Sequence, residues 1–280
     1  MKKILLIVIL LLEVFIIIYS KEIIKEFTLT LNICIYSLLP TMFFQILFSN
    51  FLLNLKNELY IPKKIYEFIN ISKEEFIIIL LSIFSGYPNN IRLLKNSNNE
   101  YLNYSTNFVN PLFILVNVGL IYLHNIKLAS IIYISHIIAN IIILFLFKKK
   151  NKSNNNLISI NYSYSESLKN TINTLSIIFS NILFISLFIA MIKVTIPFNN
   201  YIIGIIEFSR GIYEISNMNI TIYLKGLLIL IIITFGSFSI HFQVISLNEK
   251  IKYIKYLLFR ILNVLISIFI YFIFIYIIYL

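Results

Sequence analysis

The chain has 280 residues, of which 59% are hydrophobic and 12% are charged, whereas a soluble domain carries about 25% charged residues. This composition excludes an ordinary soluble enzyme and predicts a polytopic membrane protein embedded in the lipid bilayer. The net charge of +11 does not indicate a nucleic-acid partner, because basic residues beside apolar runs mark cytoplasmic loops. The single cysteine, Cys34, excludes an intramolecular disulfide and a thiolate metal cluster.

The first apolar run covers residues 4–20 and could be a signal peptide. No small-residue cleavage site follows it, so an uncleaved span is expected. The next run, 27–55, carries Pro40, which removes a backbone donor and is expected to bend the helix. Residues 56–75 are charged in both signs and predict a cytoplasmic interfacial segment.

A polar break, Ser85-Gly86-Tyr87-Pro88-Asn89-Asn90, ends an apolar run from Phe76 to Phe84. This run is too short to cross a bilayer, which needs about 20 residues. Backbone without helical hydrogen bonds cannot face lipid, so it must be buried in protein or line a cavity. The break therefore predicts a re-entrant hairpin whose turn offers Ser85, Gly86, Tyr87 and Pro88 to a solute. The alternative is a plain loop that ends a helix.

Two more apolar runs cover residues 105–123 and 128–147. The first opens with Asn107, Asn110 and Pro111, and the proline biases Asn110 away from helical conformation. Side-chain amides at this depth contact either a solute or a neighbouring helix. Both interpretations stay open for Asn107 and Asn110.

The second half of the chain repeats the order of the first half after an Asn-, Ser- and Lys-rich linker at 148–167. Its segments are a span at 169–196 ended by Pro197, a short segment at 201–216, a broken span at 220–247 and a final span at 254–280. If each short segment enters and leaves on one side, each half makes three crossings. An odd number of crossings inverts the second half, which predicts two inverted repeats.

The predicted architecture is therefore all-α, with about seven full spans and two re-entrant or short interrupted segments. The predicted units are an N-terminal span and loop at 1–26, a first repeat at 27–147, the cytoplasmic linker at 148–167 and a second repeat at 168–280. A cytoplasmic N-terminus and an external C-terminus place 17 of the 23 Lys and Arg residues inside, as the positive-inside rule requires.

The short segment of the second half carries Glu207, Ser209 and Arg210. Ionised groups at membrane depth pair with one another or face a cavity. On a helix, Glu207 and Arg210 would share a face and could neutralise one another. The pattern predicts a site for a coupling ion, H+ or Na+, or for charge compensation. The alternative is a surface helix outside the membrane.

The broken span of the second half contains Gly236, Ser239, His241 and Gln243. These polar groups are candidates for solute binding, although a lone histidine such as His241 is more often a hydrogen-bonded packing residue than a ligand. The three histidines show no metal-ligand spacing, and phosphate-loop and nucleophile motifs are absent. We therefore expect no metal, no cofactor and no enzymatic activity.

Several of these motifs resemble, in order, the YlbJ-type sporulation integral membrane proteins. They are Ser85-Gly86-Tyr87-Pro88, Asn107 with Pro111-Leu112-Phe113, Glu207-x-Ser209-x-Gly211, and Gly236-x-x-Ser239-x-His241-x-Gln243. Leu39-Pro40-Thr41-Met42-Phe43-Phe44 also resembles the proline-containing helix of that family, and the likeness runs from about residue 27 to the C-terminus.

That family is similar to the nucleoside-recognition or Gate domains, which are related to concentrative nucleoside transporters and to the membrane part of the FeoB iron transporters. The resemblance independently implies inverted repeats. It also implies a forespore membrane, a need in spore cortex or core maturation, and import of dipicolinate, a small aromatic dianion. Two other functions stay open: a membrane scaffold that recruits cortex-building proteins, and a nucleoside transporter or channel of the same fold.

Overall fold

The computed structural model describes residues 2–55, 58–95, 97, 99–148, 163–195 and 200–279, and within these ranges all regular structure is helical. The α-helices are α1 (Lys2–Ile18), α2 (Ser20–Ile33), α3 (Leu39–Asn54), α4 (Lys63–Phe68), α5 (Lys73–Ser85), α6 (Asn89–Leu94), α7 (Glu100–Ser105), α8 (Ile126–Phe147), α9 (Tyr164–Thr195), α10 (Asn200–Ile206), α11 (Phe208–Ser216), α12 (Ile222–Phe235), α13 (Ser237–Leu247) and α14 (Tyr253–Tyr279). Two π-helical stretches lie at Cys34–Leu38 and Phe113–Tyr122. The predicted all-α class is confirmed.

Five helical stretches in the described part of the chain are long and apolar enough to cross a membrane. They are Ser20–Leu53, Ile126–Phe147, Tyr164–Thr195, Ile222–Leu247 and Tyr253–Ile278. The protein is therefore a multi-pass integral membrane protein, and each of the five stretches coincides with a predicted span. The other two predicted spans correspond to shorter apolar helices, α1 with 17 residues and Phe113–Tyr122 with 10.

Some predicted boundaries differ from the structure. The second span begins at Ser20 and not at residue 27, because residues 20–26 continue the same helix despite their charges. The helix after the linker begins at Tyr164 and not at 169. Most of the predicted linker, and Pro197 after α9, lie outside the described residues.

Side-chain caps determine where several helices begin. Ser72 and Glu75 form a reciprocal capping box at the start of α5, with Ser72 Oγ accepting from Glu75 N at 3.1 Å and Ser72 N donating to Glu75 Oε2 at 2.9 Å. Ser163 and Glu166 repeat this arrangement before α9. Asn125 Oδ1 accepts from the third residue of α8 at 2.9 Å. These starts follow from local sequence alone.

The predicted hairpin of the first half is formed by α5 and α6, which pack against each other. Glu75, near the start of α5, accepts hydrogen bonds from Ser97 Oγ at 2.6 Å and Asn99 Nδ2 at 2.8 Å, and both donors follow α6. The two ends of the segment thus lie together, as a hairpin that enters and leaves on one side requires.

The hairpin of the second half is formed by α10 and α11 and turns at Glu207. Its helices approach closely at two glycines: a Cβ placed on Gly211 would lie 2.0 Å from Cα of Gly204. Residues 208–212 are all buried, so this segment is not the exposed surface helix considered above. Because this contact joins two backbones, no side chain can move aside to make room for a larger residue at Gly211.

Replacing Gly211 with alanine is expected to lower the free energy of unfolding by about 1–3 kcal/mol, although alanine favours helix. Unfolding in detergent micelles measures this change. The control is Gly226→Ala on α12, where the nearest atom is the Tyr271 hydroxyl at 2.6 Å, the end of a side chain. An equal loss in both variants would contradict the backbone clash.

Pro40 is accommodated by the π-helical stretch Cys34–Leu38 directly before α3. The carbonyl of Ser37 accepts two side-chain hydrogen bonds here, from Thr41 Oγ1 at 2.8 Å and from Asn117 Nδ2 at 2.9 Å. Side chains therefore compensate for the disturbed backbone ladder and tie this helix to the stretch at Phe113–Tyr122.

Candidate functional site

The turn of the first hairpin is pressed against the interruption that follows α7. Gly86 has φ +73° and ψ 176°, and the Tyr87–Pro88 peptide bond is cis. Tyr87 N donates to the carbonyl of Phe108 at 2.7 Å. A Cβ on Gly86 would lie 2.7 Å from the backbone nitrogen of Asn110. The two breaks of the first half therefore form one unit.

The predicted amides and hydroxyl of this unit have different surroundings. Asn110 donates to the Thr41 carbonyl at 3.1 Å and accepts from Phe113 N at 3.2 Å, so it joins helices. Ser85 Oγ donates within its own helix to the carbonyl of residue 81 at 3.0 Å. Asn107 donates through Nδ2, while its buried Oδ1 has no partner among the described residues.

The break of the second half lies at Gly236, which has φ +91° between α12 and α13. The hydroxyl of Ser237 donates to the carbonyl of Gly204 and so ties the break to the second hairpin. His241 Nε2 lies 2.9 Å from the Phe235 carbonyl and packs against the end of α12. These contacts make His241 a capping residue of this helix.

The units of the two halves meet at Tyr87. Its hydroxyl donates to the carbonyl of Ile233 at 3.4 Å, and its ring lies edge-on to Phe208 of α11 with centroids 5.9 Å apart. The Phe113 ring also packs on Phe208, with ring centroids 5.4 Å apart. Tyr87 was predicted to contact a solute, and the structure places it at the junction of the halves.

His136 of α8 forms a second bridge between the halves. Its Nε2 accepts from Val109 N at 3.2 Å, and its Nδ1 lies 3.1 Å from Thr234 Oγ1. A backbone N–H can only donate, so Nε2 carries no proton and Nδ1–H donates to the threonine. Sequence spacing indicated only that His136 is not part of a metal site, and its bridging role depends on two segments that are distant in the chain.

Some of the buried polar atoms without partners lie on helices that follow the two breaks. The side chains of Asn89 and Gln243 have no hydrogen-bond partner for either amide atom among the described residues, and the same holds for Ser239 Oγ. Asn89 opens α6 and the other two residues lie on α13, which packs against α6. Each such atom costs about 1–3 kcal/mol unless something bonds to it. A polar solute bound here would remove that cost.

A polar cavity of about 150 Å³ opens at one end of the same helices. It is lined by Lys95, Ser97, Glu100, Asn103, Tyr104, Asn248, Lys250 and Ile251. Asn103, 5% exposed, has no partner for its Oδ1 among the described residues. The cavity wall therefore contains a buried polar group without a partner, as the junction does.

Glu207 lies in the turn of the second hairpin and caps α11. Its carboxylate accepts from Ser209 Oγ at 2.7 Å, from Ser209 N at 3.2 Å and from Arg210 N at 2.6 Å. The predicted neutralisation of Glu207 by the Arg210 guanidinium is not seen in the structure. Glu207 precedes the helix, so the two side chains do not share a helical face.

The Arg210 guanidinium instead belongs to a charged cluster with Glu26, Lys193 and Glu214. Its Nη2 lies 3.0 Å from Glu26 Oε2 and 2.8 Å from Glu214 Oε1. Lys193 Nζ lies 3.0 Å from Glu26 Oε1. The cluster joins α2, α9 and α11, and its two positive and two negative charges balance.

A second buried arginine, Arg260 of α14, lies at the break of the second half. Its guanidinium donates through Nη2 to the Thr234 carbonyl and through Nε to the Phe235 carbonyl at 3.3 Å. Arg260 is one of the 17 basic residues that the positive-inside count places on the cytoplasmic side, whereas the structure buries it fully among helices. The sequence signal for the burial of Arg260 was its position within the apolar run at residues 254–280.

No protein-family model, curated protein or solved structure matches this chain. In the described part of the chain, no group of three His, Cys, Asp or Glu side chains is arranged to hold a metal ion.

Proposed function

We propose that this protein is a transporter that moves a small anionic aromatic solute, with dipicolinate as the first candidate, across a forespore membrane by alternating access. The observation that carries the proposal is the junction of the two interrupted halves at Tyr87 and His136, with buried polar atoms without partners on the helices that follow the two breaks. Irregular backbone at membrane depth is tolerated where it lines a solute site.

The proposal includes seven spans and two inverted repeats. Each half contains a hairpin, α5–α6 or α10–α11, followed by an interrupted helix, α7 to Phe113–Tyr122 or α12–α13. This matching order supports the repeat. With α1 and the Phe113–Tyr122 stretch counted as crossings, the chain crosses seven times and its termini lie on opposite sides. The excess of Lys and Arg in the loops on one side then makes the N-terminus cytoplasmic and the C-terminus external.

In this proposal Asn107, Ser239 and Gln243 form hydrogen bonds to the solute, and the Tyr87 ring packs on its aromatic face. The N-terminus of α13 offers the positive end of a helix dipole to a carboxylate. Glu207 serves as the ion-coupling group in the hairpin turn, because its carboxylate is fully buried beside the junction. Arg210 compensates charge within its cluster.

Uptake of labelled dipicolinate into proteoliposomes, compared with uptake of a nucleoside, tests this function. We expect uptake of dipicolinate alone, and we expect Glu207→Gln to abolish or uncouple it, because the amide cannot exchange a proton or neutralise a cation. Uptake of the nucleoside alone would favour the nucleoside transporter. Uptake of neither solute by folded protein would favour the scaffold.

Ser239→Leu is expected to reduce dipicolinate uptake at least tenfold without removing the protein from the membrane, because leucine fills a polar position with an apolar side chain. Ser85→Leu is expected to do the same by displacing the first turn. Quantified membrane fractions and initial uptake rates measure both effects. Normal transport in both variants would exclude this site.

Replacing residues 149–162, the part of the predicted linker that precedes the Ser163 cap of α9, by a neutral linker separates the transporter from the scaffold. A transporter should keep its uptake rate, since the linker lies outside both repeats. A scaffold that recruits cortex-building proteins through this loop should lose its function in sporulating cells.

A further inference from the structure

Arg260 carries a buried charge for which the described residues supply no counterion. Its side chain is fully buried within the stretch Tyr253–Ile278, which is long and apolar enough to cross a membrane. No carboxylate among the described residues lies within ion-pair distance of it, and its Nη1 has no hydrogen-bond partner there. Arg210, which is equally buried, has two carboxylate partners.

Backbone carbonyls satisfy only part of the Arg260 guanidinium. The two that it contacts, at Thr234 and Phe235, end α12 and carry the negative end of its dipole. A helix terminus supplies about half a charge, whereas the guanidinium carries a full one. An unbalanced charge at membrane depth is costly and marks a functional site.

The groups around Arg260 suit an anion. Arg260 donates to the carbonyl of Thr234, whose hydroxyl pairs with His136, and the adjacent Ile233 carbonyl accepts from Tyr87, so the guanidinium lies at the junction. The buried Tyr256 hydroxyl also has no partner among the described residues. Tyr256 precedes Arg260 by four residues, so both side chains lie on one face of α14.

Phe259, which precedes Arg260 on α14, packs against the wall of the polar cavity. The Tyr104 ring, which lines the cavity, packs on Phe259 with centroids 5.3 Å apart. Lys255 of α14 lies over the same ring at 4.8 Å. Cationic groups thus follow α14 from the cavity inward to the junction.

We propose that Arg260 binds a carboxylate of the solute, through its free Nη1 and with the hydroxyl of Tyr256 as a second donor. The inference rests on the proposed function and names the group that recognises the charge of the solute. A planar guanidinium matches a carboxylate geometrically, and the bound anion supplies the missing counterion.

Ligand-induced thermal stabilisation of the purified protein in detergent tests the carboxylate site. The panel contains dipicolinate, picolinate, benzoate and inorganic phosphate, with neutral pyridine-2,6-dicarboxamide as the uncharged match for dipicolinate. We expect carboxylates to stabilise the wild-type protein and the diamide not to do so. Equal stabilisation by dipicolinate and the diamide would overturn the proposal.

Arg260→Gln is expected to weaken carboxylate binding by about 30-fold or more, since it removes one partner of a buried charged pair. Arg260→Lys keeps the charge and loses the planar fork, so it should bind with intermediate affinity. Arg92→Gln is the matched control, because Arg92 hydrogen-bonds to Asn50 of α3 at 2.8 Å. It should leave the affinity unchanged.

The outcomes separate this inference from the proposed function. If the wild-type protein does not take up dipicolinate but another carboxylate or phosphate stabilises it in an Arg260-dependent way, the anion site stands and the proposed solute is wrong. If no anion stabilises the wild-type protein, Arg260 is only a cap of α12. The same conclusion follows if Arg260→Lys and Arg260→Gln both bind anions as tightly as the wild-type protein. If Arg260→Gln fails to fold, the proposal is tested by the anion affinity of Arg260→Lys and by the preference of the wild-type protein for dipicolinate over the diamide.

Discussion

Replacing Gly86 with alanine should lower the free energy of unfolding by about 3 kcal/mol or more and abolish solute uptake. The backbone at Gly86, with φ +73° and ψ 176°, lies in a region that only glycine adopts readily. A Cβ there would also lie 2.7 Å from the backbone nitrogen of Asn110. The turn must therefore move away from the second break, which separates Tyr87 from its partners.

Gly236→Ala is the matched control for stability, because it separates backbone strain from the clash. Gly236 also has positive φ, at +91°, but the nearest atom to its Cβ position is 3.7 Å away. Only a strain of about 1–2 kcal/mol is expected in that variant. Chemical unfolding in detergent micelles compares the two. If Gly86→Ala unfolds no more easily than Gly236→Ala, the close packing of the two breaks is wrong.

Arg210→Gln is expected to destabilise the protein by about 3–5 kcal/mol, because removing one partner of a buried ion pair leaves uncompensated charge. The side chain is 2% exposed, and Glu26 and Glu214 are 12% and 16% exposed. Without the guanidinium, two neighbouring carboxylates share only Lys193. The loss should release α11 from α2 and be visible as a lowered unfolding midpoint.

A second substitution checks the electrostatic origin of that loss. The double variant Arg210→Gln with Glu214→Gln removes one excess carboxylate and should recover part of the stability. Lys63→Gln is the control, since the Lys63–Glu67 pair is 74% and 54% exposed and should contribute about 0.5 kcal/mol or less. A double variant that is less stable than Arg210→Gln would contradict the charged cluster.

The helices were predictable because the information for them is local. Long apolar runs identified the five stretches that can cross a membrane, and the short run before Gly86 identified the first hairpin. Caps such as Ser72 with Glu75 lie within one helical turn and can be read directly. Boundaries failed where charged residues continue a helix, as at Ser20–Leu53, because helix formation does not require an apolar sequence.

Partners of the charged groups were not predictable in the same way. The spacing of Glu207 and Arg210 indicated a shared helical face, but α11 begins one residue after Glu207. The partner that Arg210 contacts, Glu26, is 184 residues away in the chain. Local spacing states which residues can meet within one helix, and it carries no information about which helix packs beside it.

The sequence by itself determined the membrane class, the all-α fold and the positions of the polar breaks, because hydrophobic length and backbone propensity act within one segment. Only the tertiary structure decided that Tyr87 and His136 join the two halves, that Asn110 is used between helices, and that Arg260 is buried with no counterion among the described residues. These features depend on contacts between segments that are far apart in the chain. Once a polar side chain is buried by such contacts, it either forms a hydrogen bond to another segment or remains unsatisfied.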